Sequence, residues 1–328
     1  MEFFSALLLV FLKWPILLPI MIVSMYYLLR NRRFTQETAD RFFSQFKIGG
    51  HRGSPQVQPE NTIASMEQAK REGADLIEFD VSLTKDGIAV ILHDDTLDRT
   101  TNMTGAVRDF LFKDLSSCNC AAKFKPIALE VNNNIHEPAI AAPTNNEPVI
   151  LPMPTLEELV QWAKKHEMRM LFDVKDADKS LVLTLEHLFE KYDIYERGIV
   201  CSFFPTVVYW LKRHQPKILT GLTWRRWFFS YADLDATVPR FKGARLLLAT
   251  AIDVLYHLSV QSWLPSFLAV DMILTERRDI SSTFVKQQEA AKRRVCAWTV
   301  NDLRELQWMR NVLNIPVLTD IPALVSKI

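Results

Sequence analysis

Residues 50–95, GHRGSPQVQPENTIASMEQAKREGADLIEFDVSLTKDGIAVILHDD, carry two histidines, an arginine and several acidic side chains in one short run. Residues 47–50 and 76–83 read as strands with an amphipathic helix, Asn61 to Glu72, between them, so the run opens a β-α-β unit. In a strand, residues i and i+2 project from one face. Glu78 and Asp80 therefore stand side by side, two carboxylates suited to a hard divalent cation. His51 and Arg52 sit in a Gly-rich turn, and His93 and Asp94 end a second apolar run, Ile88 to Leu92. Two histidines flanking a cation supply an acid and a base near neutral pH. The implied chemistry is phosphoryl transfer.

A lone Glu-x-Asp would signal little, because any half-buried strand of alternating polarity produces one. Its bracketing by His51 and His93 gives the pair meaning. His136, His166, His187 and His214 fall on expected loops or helix surfaces and read as ordinary histidines.

Outward from this run, strands are expected at 47–50, 76–83, 169–174, 199–202, 217–222, 268–273, 294–299 and 316–319. Helices lie between them, among them Thr155 to His166, Lys179 to Lys191 and Asp302 to Asn311, with Asn61 or Thr62, Thr155 and Asn301 available as N-caps. Eight strands alternating with helices predict a closed (β/α)8 TIM barrel. The motifs all fall at strand carboxyl ends, the face that carries the active site in such barrels. The chain has 328 residues, 48% hydrophobic, with a formal net charge of +1, enough for a large core and without a charge bias toward nucleic acid. Cys118, Cys120, Cys201 and Cys296 lack the spacing of a zinc site or disulfide framework.

The motifs His51-Arg52-Gly53, Pro59-Glu60-Asn61-Thr62, Glu78-Phe79-Asp80 and His93-Asp94 follow one another as in the glycerophosphodiester phosphodiesterases, and residues 47–328 resemble that family. Asp173-Val174-Lys175, Trp298-Thr299-Val300-Asn301 and Leu318-Thr319-Asp320 stand where the family places its later strand-end motifs. The apolar amino terminus, Val200-Cys201-Ser202-Phe203 and a long apolar insertion resemble its membrane-bound animal members. The resemblance implies hydrolysis of glycerophosphodiesters, such as glycerophosphoinositol or glycerophospho-N-acylethanolamine, to glycerol 3-phosphate and an alcohol. It adds Asp173 to Glu78 and Asp80 as a third metal-binding carboxylate. Oxygen-only ligands favour Mg²⁺ or Ca²⁺ over zinc, and similarity to the animal members selects Mg²⁺. It also makes His51 and His93 the base and the acid, here assigned in that order. Arg52 offers a fork and Lys175 a point charge to phosphate. Trp298 would wall the glycerol moiety, with Asp94 and Asp320 behind the first layer. Glu60 and Asn61 would orient that layer, Asn61 being equally placed to cap the first helix. In one departure, Asp173 stands where many members carry Glu.

Residues 3–29 are apolar enough and long enough for a transmembrane helix, and a basic Arg30-Asn31-Arg32-Arg33 follows. A cleaved signal peptide would have a shorter apolar core. The expected organisation is an anchor at 1–33, a linker at 34–46 and the catalytic barrel at 47–328. The basic cluster favours a cytoplasmic barrel by the positive-inside rule, whereas the animal relatives imply a lumenal or exterior one. Residues 119–150, rich in Asn, Pro and Ala, read as a loop insertion. Residues 246–268, before the sixth strand, read as a shallow membrane-associated element, because a full span would part Trp298 and Asp320 from the barrel. A lysophospholipase D, admitting an acyl chain, is the alternative activity. A catalytically silent membrane scaffold is the alternative of another class.

Overall fold

The computed structural model describes residues 18–126 and 149–327, and the backbone of 129–131 and 134–136 between them. In chain order, residues 18–29 form α1, followed by α2 (Gln36–Ser44), β1 (Ile48–Gly50), α3 (Ile63–Arg71), β2 (Leu76–Leu83) and β3 (Ala89–Ile91). The small pair β4 (Leu129–Val131) and β5 (Asn134–His136) precedes α4 (Leu156–Lys165), β6 (Arg169–Val174), α5 (Lys179–Tyr192), β7 (Gly198–Ser202), α6 (Pro205–His214) and β8 (Leu219–Trp224). The chain ends with α7 (Ala244–Gln261), α8 (Leu264–Leu268), β9 (Met272–Glu276), α9 (Ser282–Ala290), β10 (Arg294–Trp298), α10 (Leu303–Asn311) and β11 (Val317–Thr319).

Parallel pairing runs β1-β2-β6-β7-β8-β9-β10-β11 and returns to β1, a closed eight-stranded barrel. Alternation along β2 explains the closure. Ile77, Phe79 and Val81 pack outward with Leu159, Val160 and Phe172, whereas Leu76 points inward with Leu171, Ile199, Leu219, Met272 and Leu318. Glu78 and Asp80 share the inward parity of Leu76 and so arrive in the barrel mouth.

Two expectations shift. The strand expected at 268–273 begins at Met272, because Leu268 ends α8 and Ala269 takes a left-handed turn at φ 60°. Apolar residues of that turn resemble a strand start in sequence. The run Ile88 to Leu92 contains β3, which pairs antiparallel with β2 outside the ring.

Residues 34–46 are more than a linker. Ala39, Phe42 and Phe46 are buried among the lower barrel side chains Leu76, Leu171 and Leu219, so α2 plugs the amino-terminal end. The strand-side anchor of this plug is a buried ion pair, Lys212 Nζ donating to Asp271 Oδ2 at 2.8 Å and to Thr35 Oγ1 at 3.0 Å. Asn31 adds a backbone N–H to Phe267 O at 2.9 Å and a side-chain bond to Tyr209 O at 3.0 Å. The segment after α1 is thereby strapped to α6 and α8.

Among the described residues no helix is long and apolar enough to cross a membrane. Residues 1–17 of the expected anchor, and half of the expected 119–150 loop (127–128, 132–133 and 137–148), lie outside the described residues. Asn119 pins the base of that loop, its Oδ1 accepting from Leu151 N at 3.0 Å. The 246–268 element is α7 and α8, and α7 is amphipathic with its polar side inward. Asp253 accepts from Phe229 N at 3.0 Å and Ser230 N at 2.9 Å, and the ring of His257 lies 5.1 Å from that of Trp224. Leu247, Leu248, Leu255 and Leu258 face solvent, Leu247 with 73% of its surface exposed.

Removing one partner of a buried ion pair strands the other charge at a cost of about 3–5 kcal/mol. Asp271→Ala is therefore expected to destabilise the fold by that amount, read from its urea midpoint. A loss under about 1 kcal/mol, the size of an exposed pair, would show that Lys212 is solvated.

Candidate active site

β2 and β6 run in register, Asp80 opposite Asp173, so the inward carboxylates of neighbouring strands converge at one height. Oxygens of Glu78, Asp80 and Asp173 lie within 4.8 Å of one another, all three residues buried. The short side chain of Asp173 thus reaches the carboxylate cluster. Lys175 Nζ stands 3.0 Å from Asp80 Oδ1 and also contacts Asp173.

The first turn carries the next layer. Arg52 takes a left-handed φ of 55° and Gly53 one of 89°, where a Cβ on Gly53 would lie 2.6 Å from the Ser65 carbonyl carbon. This tight turn aims the Arg52 N–H at Glu78 Oε2, 2.7 Å away, and brings Arg52 Nε to 3.2 Å from Asp80 Oδ2. Arg52 Nη1 also donates to Glu60 at 2.9 Å. Asn61, itself at φ 59°, donates to Asp80 Oδ2 at 2.8 Å. It therefore orients a site carboxylate, and Thr62 caps α3 by accepting from Ser65 N.

Both histidines are held through Nδ1. His51 Nδ1 lies 2.7 Å from Asp320 Oδ1, and His93 Nδ1 lies 2.6 Å from Asp94 Oδ1. Each carboxylate fixes the ring and leaves Nε2 for chemistry. Asn301 serves here too, donating to Asp320 Oδ2 at 2.7 Å, while Asp302 caps α10. Arg99 was not singled out in sequence. It donates to Asp94 at 2.6 Å and to both oxygens of Glu60 at 2.7 and 2.8 Å, tying the His93 turn to the Arg52 turn.

His51, Arg52, Glu78, His93, Asp173, Lys175 and Trp298 line one cavity of about 430 Å³, with Asp80 beside its floor. Trp298 meets Phe203 edge-on at 5.9 Å. Phe204, Phe228, Leu234, Arg225 and Arg240 complete one side, and nothing in their sequence spacing marks them. Phe228, Leu234 and the two arginines belong to the connection between β8 and α7.

Burial would raise the Asp80 carboxyl, but Lys175 and Arg52 hold it well below the usual range. Burial, then the charge of Asp80, pushes Glu78 up to about 8. Two cations, Lys175 and Arg52, stand against these three carboxylates. Three buried oxygen donors short of positive charge fit a hard divalent cation. Burial pulls His51 down, but Glu78 and Asp320 outweigh it and its pKa is raised.

The model of the glycerophosphoryl diester phosphodiesterase family matches residues 51–324. The chain belongs to that family. It is a phosphoric diester hydrolase. It is 31% identical over 305 residues to glycerophosphodiester phosphodiesterase 1 of Bos taurus, covering 90% of this chain and 86% of that one. To the Homo sapiens protein of the same name it is 29% identical, covering 97% and 93%. The crystal structure of an Oleispira antarctica phosphodiesterase in complex with sn-glycerol-3-phosphate superposes with a TM-score of 0.62 at 19% identity, covering 88% of this chain and 98% of that one. An Agrobacterium tumefaciens glycerophosphodiester phosphodiesterase gives 0.61 at 19% identity, covering 86% and 100%.

A base works above its own pKa, and Asp320 raises that of His51. Asp320→Asn is expected to move the acid limb of kcat/KM to lower pH while kcat falls by roughly 10-fold or more. An acid limb that stays in place or moves upward would detach His51 from that limb.

Proposed function

We propose that the chain hydrolyses glycerophosphodiesters to glycerol 3-phosphate and an alcohol, with a divalent cation, Mg²⁺ ahead of Ca²⁺, at Glu78, Asp80 and Asp173. The observation that carries the reading is that two carboxylate-held histidines open on the cavity that also contains this triad. A cation held by Glu78, Asp80 and Asp173 would supply charge neutralisation at the phosphoryl oxygens and acidification of the nucleophile. Arg52 and Lys175 draw the phosphate in as fixed cations aimed into the cavity.

His51 is the base. With Nδ1–H donated to Asp320, its Nε2 lone pair takes the proton of the attacking hydroxyl, either water or the substrate's own glycerol hydroxyl. His93 is the acid, giving its Nε2 proton to the leaving alkoxide as the P–O bond breaks. The assignment follows exposure: the His93 side chain is 33% exposed against 15% for His51, so His93 stands on the open side where an alcohol departs. Trp298 and Phe203 supply a wall for the glycerol moiety.

The chain is also read as membrane-attached, through the apolar amino terminus and the outward apolar face of α7, at an endomembrane or the plasma membrane. Contiguous exposed apolar side chains of that kind mark interaction surfaces. A lysophospholipase D is the second reading, favoured by Phe203, Phe204, Phe228 and Leu234 along one side of the cavity. Turnover of glycerophosphoinositol against an acylated analogue separates the two.

His51→Ala and His93→Ala should each lower kcat by about 10² to 10⁴ with the fold intact. Near-parental activity in either would remove that histidine from its role. Glu78→Gln and Asp80→Asn should abolish the response of activity to added Mg²⁺, and a parent enzyme indifferent to chelator would sink the metal assignment.

Leu255→Asp places a charge on the outward face of α7, where Leu255 is 64% exposed. It should weaken residual membrane attachment of a protein lacking residues 1–28 and leave hydrolysis of a soluble substrate unchanged. Vesicle co-sedimentation unaltered by the substitution would exclude this face from the membrane.

A further inference from the structure

On the amino-terminal side of β9 and β10, away from the cavity mouth, a cleft of about 300 Å³ lies between the end of α1 and α8. Arg30, Arg32, Arg33 and Arg293 line it with Pro265 and Ser266, and no carboxylate does. Arg293 is only 8% exposed. Its Nε donates to Gln288 Oε1 at 2.8 Å and its Nη1 to Ser266 Oγ at 3.1 Å, both neutral acceptors. Among the described residues it has no ion pair. Burial, and then the charge of Arg33, weaken its hold on its proton.

The other three cations leave the deficit uncorrected. Arg32 has neither an ion pair nor a side-chain hydrogen bond among the described residues. Arg30 stacks over the Tyr27 ring at 4.6 Å. Arg33 Nε lies 3.5 Å from Asp271, but that carboxylate already accepts from Lys212 at 2.8 Å and Thr220 N at 2.9 Å. A buried charge without a counter-ion is costly. Guanidinium forks match the geometry of phosphoryl oxygens bidentately, as they do that of carboxylates.

What surrounds the cleft chooses the source of the phosphoryl group. α1 leads straight into it, with Ile22 57% and Leu28 76% exposed, and Trp263 at the start of α8 is 47% exposed. Tyr26 packs on Phe267 at 5.6 Å, so the apolar side chains of α1 and the α7–α8 unit are held as one surface. An anion seated among the arginines thus has a fixed apolar surface beside it. We infer that this cleft binds the phosphoryl headgroup of an anionic membrane phospholipid.

The inference rests on the membrane attachment proposed above and is independent of the hydrolytic reading. The test takes the full chain in dodecyl maltoside micelles doped with dioleoyl phosphatidic acid, dioleoyl phosphatidylcholine or inorganic phosphate. Thermal midpoint and retained lipid, by native mass spectrometry, are followed together with turnover of soluble glycerophosphoinositol. Phosphatidic acid is expected to raise the midpoint by roughly 3–5 °C at saturation and to be retained, and phosphatidylcholine to do neither. Arg32→Gln and Arg293→Gln should abolish both effects, and Arg32→Gln should leave turnover unchanged. If Arg293→Gln does not fold, exposed Arg32 decides alone. Equal stabilisation by phosphatidylcholine, equal stabilisation by inorganic phosphate, or full retention of phosphatidic acid by Arg32→Gln would each overturn the assignment. Absent turnover in the parent with selective lipid retention intact would instead count against the hydrolytic reading alone.

Discussion

Three carboxylates buried together cannot all ionise unless positive charge is fixed beside them. The barrel mouth is arranged around that constraint. Lys175 follows β6 directly and reaches Asp80 and Asp173, while Arg52 reaches Asp80 and Glu60 from a left-handed backbone position. Left-handed φ at Arg52 and Asn61 costs conformational energy at both, and that strain persists because the turn places an N–H on Glu78 and an amide on Asp80. Lys175 and Arg52 are two cations against three carboxylates, a deficit of positive charge in line with the raised Glu78 carboxyl, which burial and then Asp80 push up. Attraction for a divalent cation is the physical counterpart of that deficit.

Catalytic precision then depends on a second electrostatic chain. Asp94 holds His93, Arg99 holds Asp94 and Glu60, and Glu60 holds Arg52. Groups from the turn after β1 and the turn after β3 are thereby locked to one another, although they belong to different loops. On the other side Asn301 holds Asp320, which holds His51. Each histidine is positioned by a carboxylate that is itself positioned, which is how a site on loops acquires the rigidity of a site on strands.

The Glu78–Asp80 pair was legible because strand periodicity is strict, whereas Asp173 entered through the family resemblance. Residues two apart in a strand share a face, and the barrel turns the face of Glu78 and Asp80 inward and sets Asp173 opposite Asp80. Lys175 and the two histidines were legible for a similar reason, as residues at strand ends. Asn61 and Asn301 were harder, since an Asn before a helix is the usual cap, and only tertiary contact shows its amide turned to Asp80 or Asp320. Arg99, Arg225, Arg240 and Phe228 carry no periodic signal, because loop geometry decides where they reach. The plug formed by α2 was hidden by its polar composition: Ala39 and Phe42 are its only fully buried side chains. The start of β9 was blurred by apolar residues that serve as the turn out of α8.

The insertion between β8 and β9 inverts the usual order of a surface helix. Asp253 and His257 face the protein, while Leu247, Leu248, Leu255 and Leu258 face outward. Asp253 spends its carboxylate on the backbone of Phe229 and Ser230, immediately beyond Phe228, which lines the catalytic cavity with Leu234 and Arg240. The apolar outer face and one wall of the cavity are therefore parts of a single packed unit. Whatever covers α7 bears, through Asp253, on the position of that wall. Were the outer face of α7 seated on a lipid surface, as proposed, this arrangement would couple that contact to the shape of the cavity.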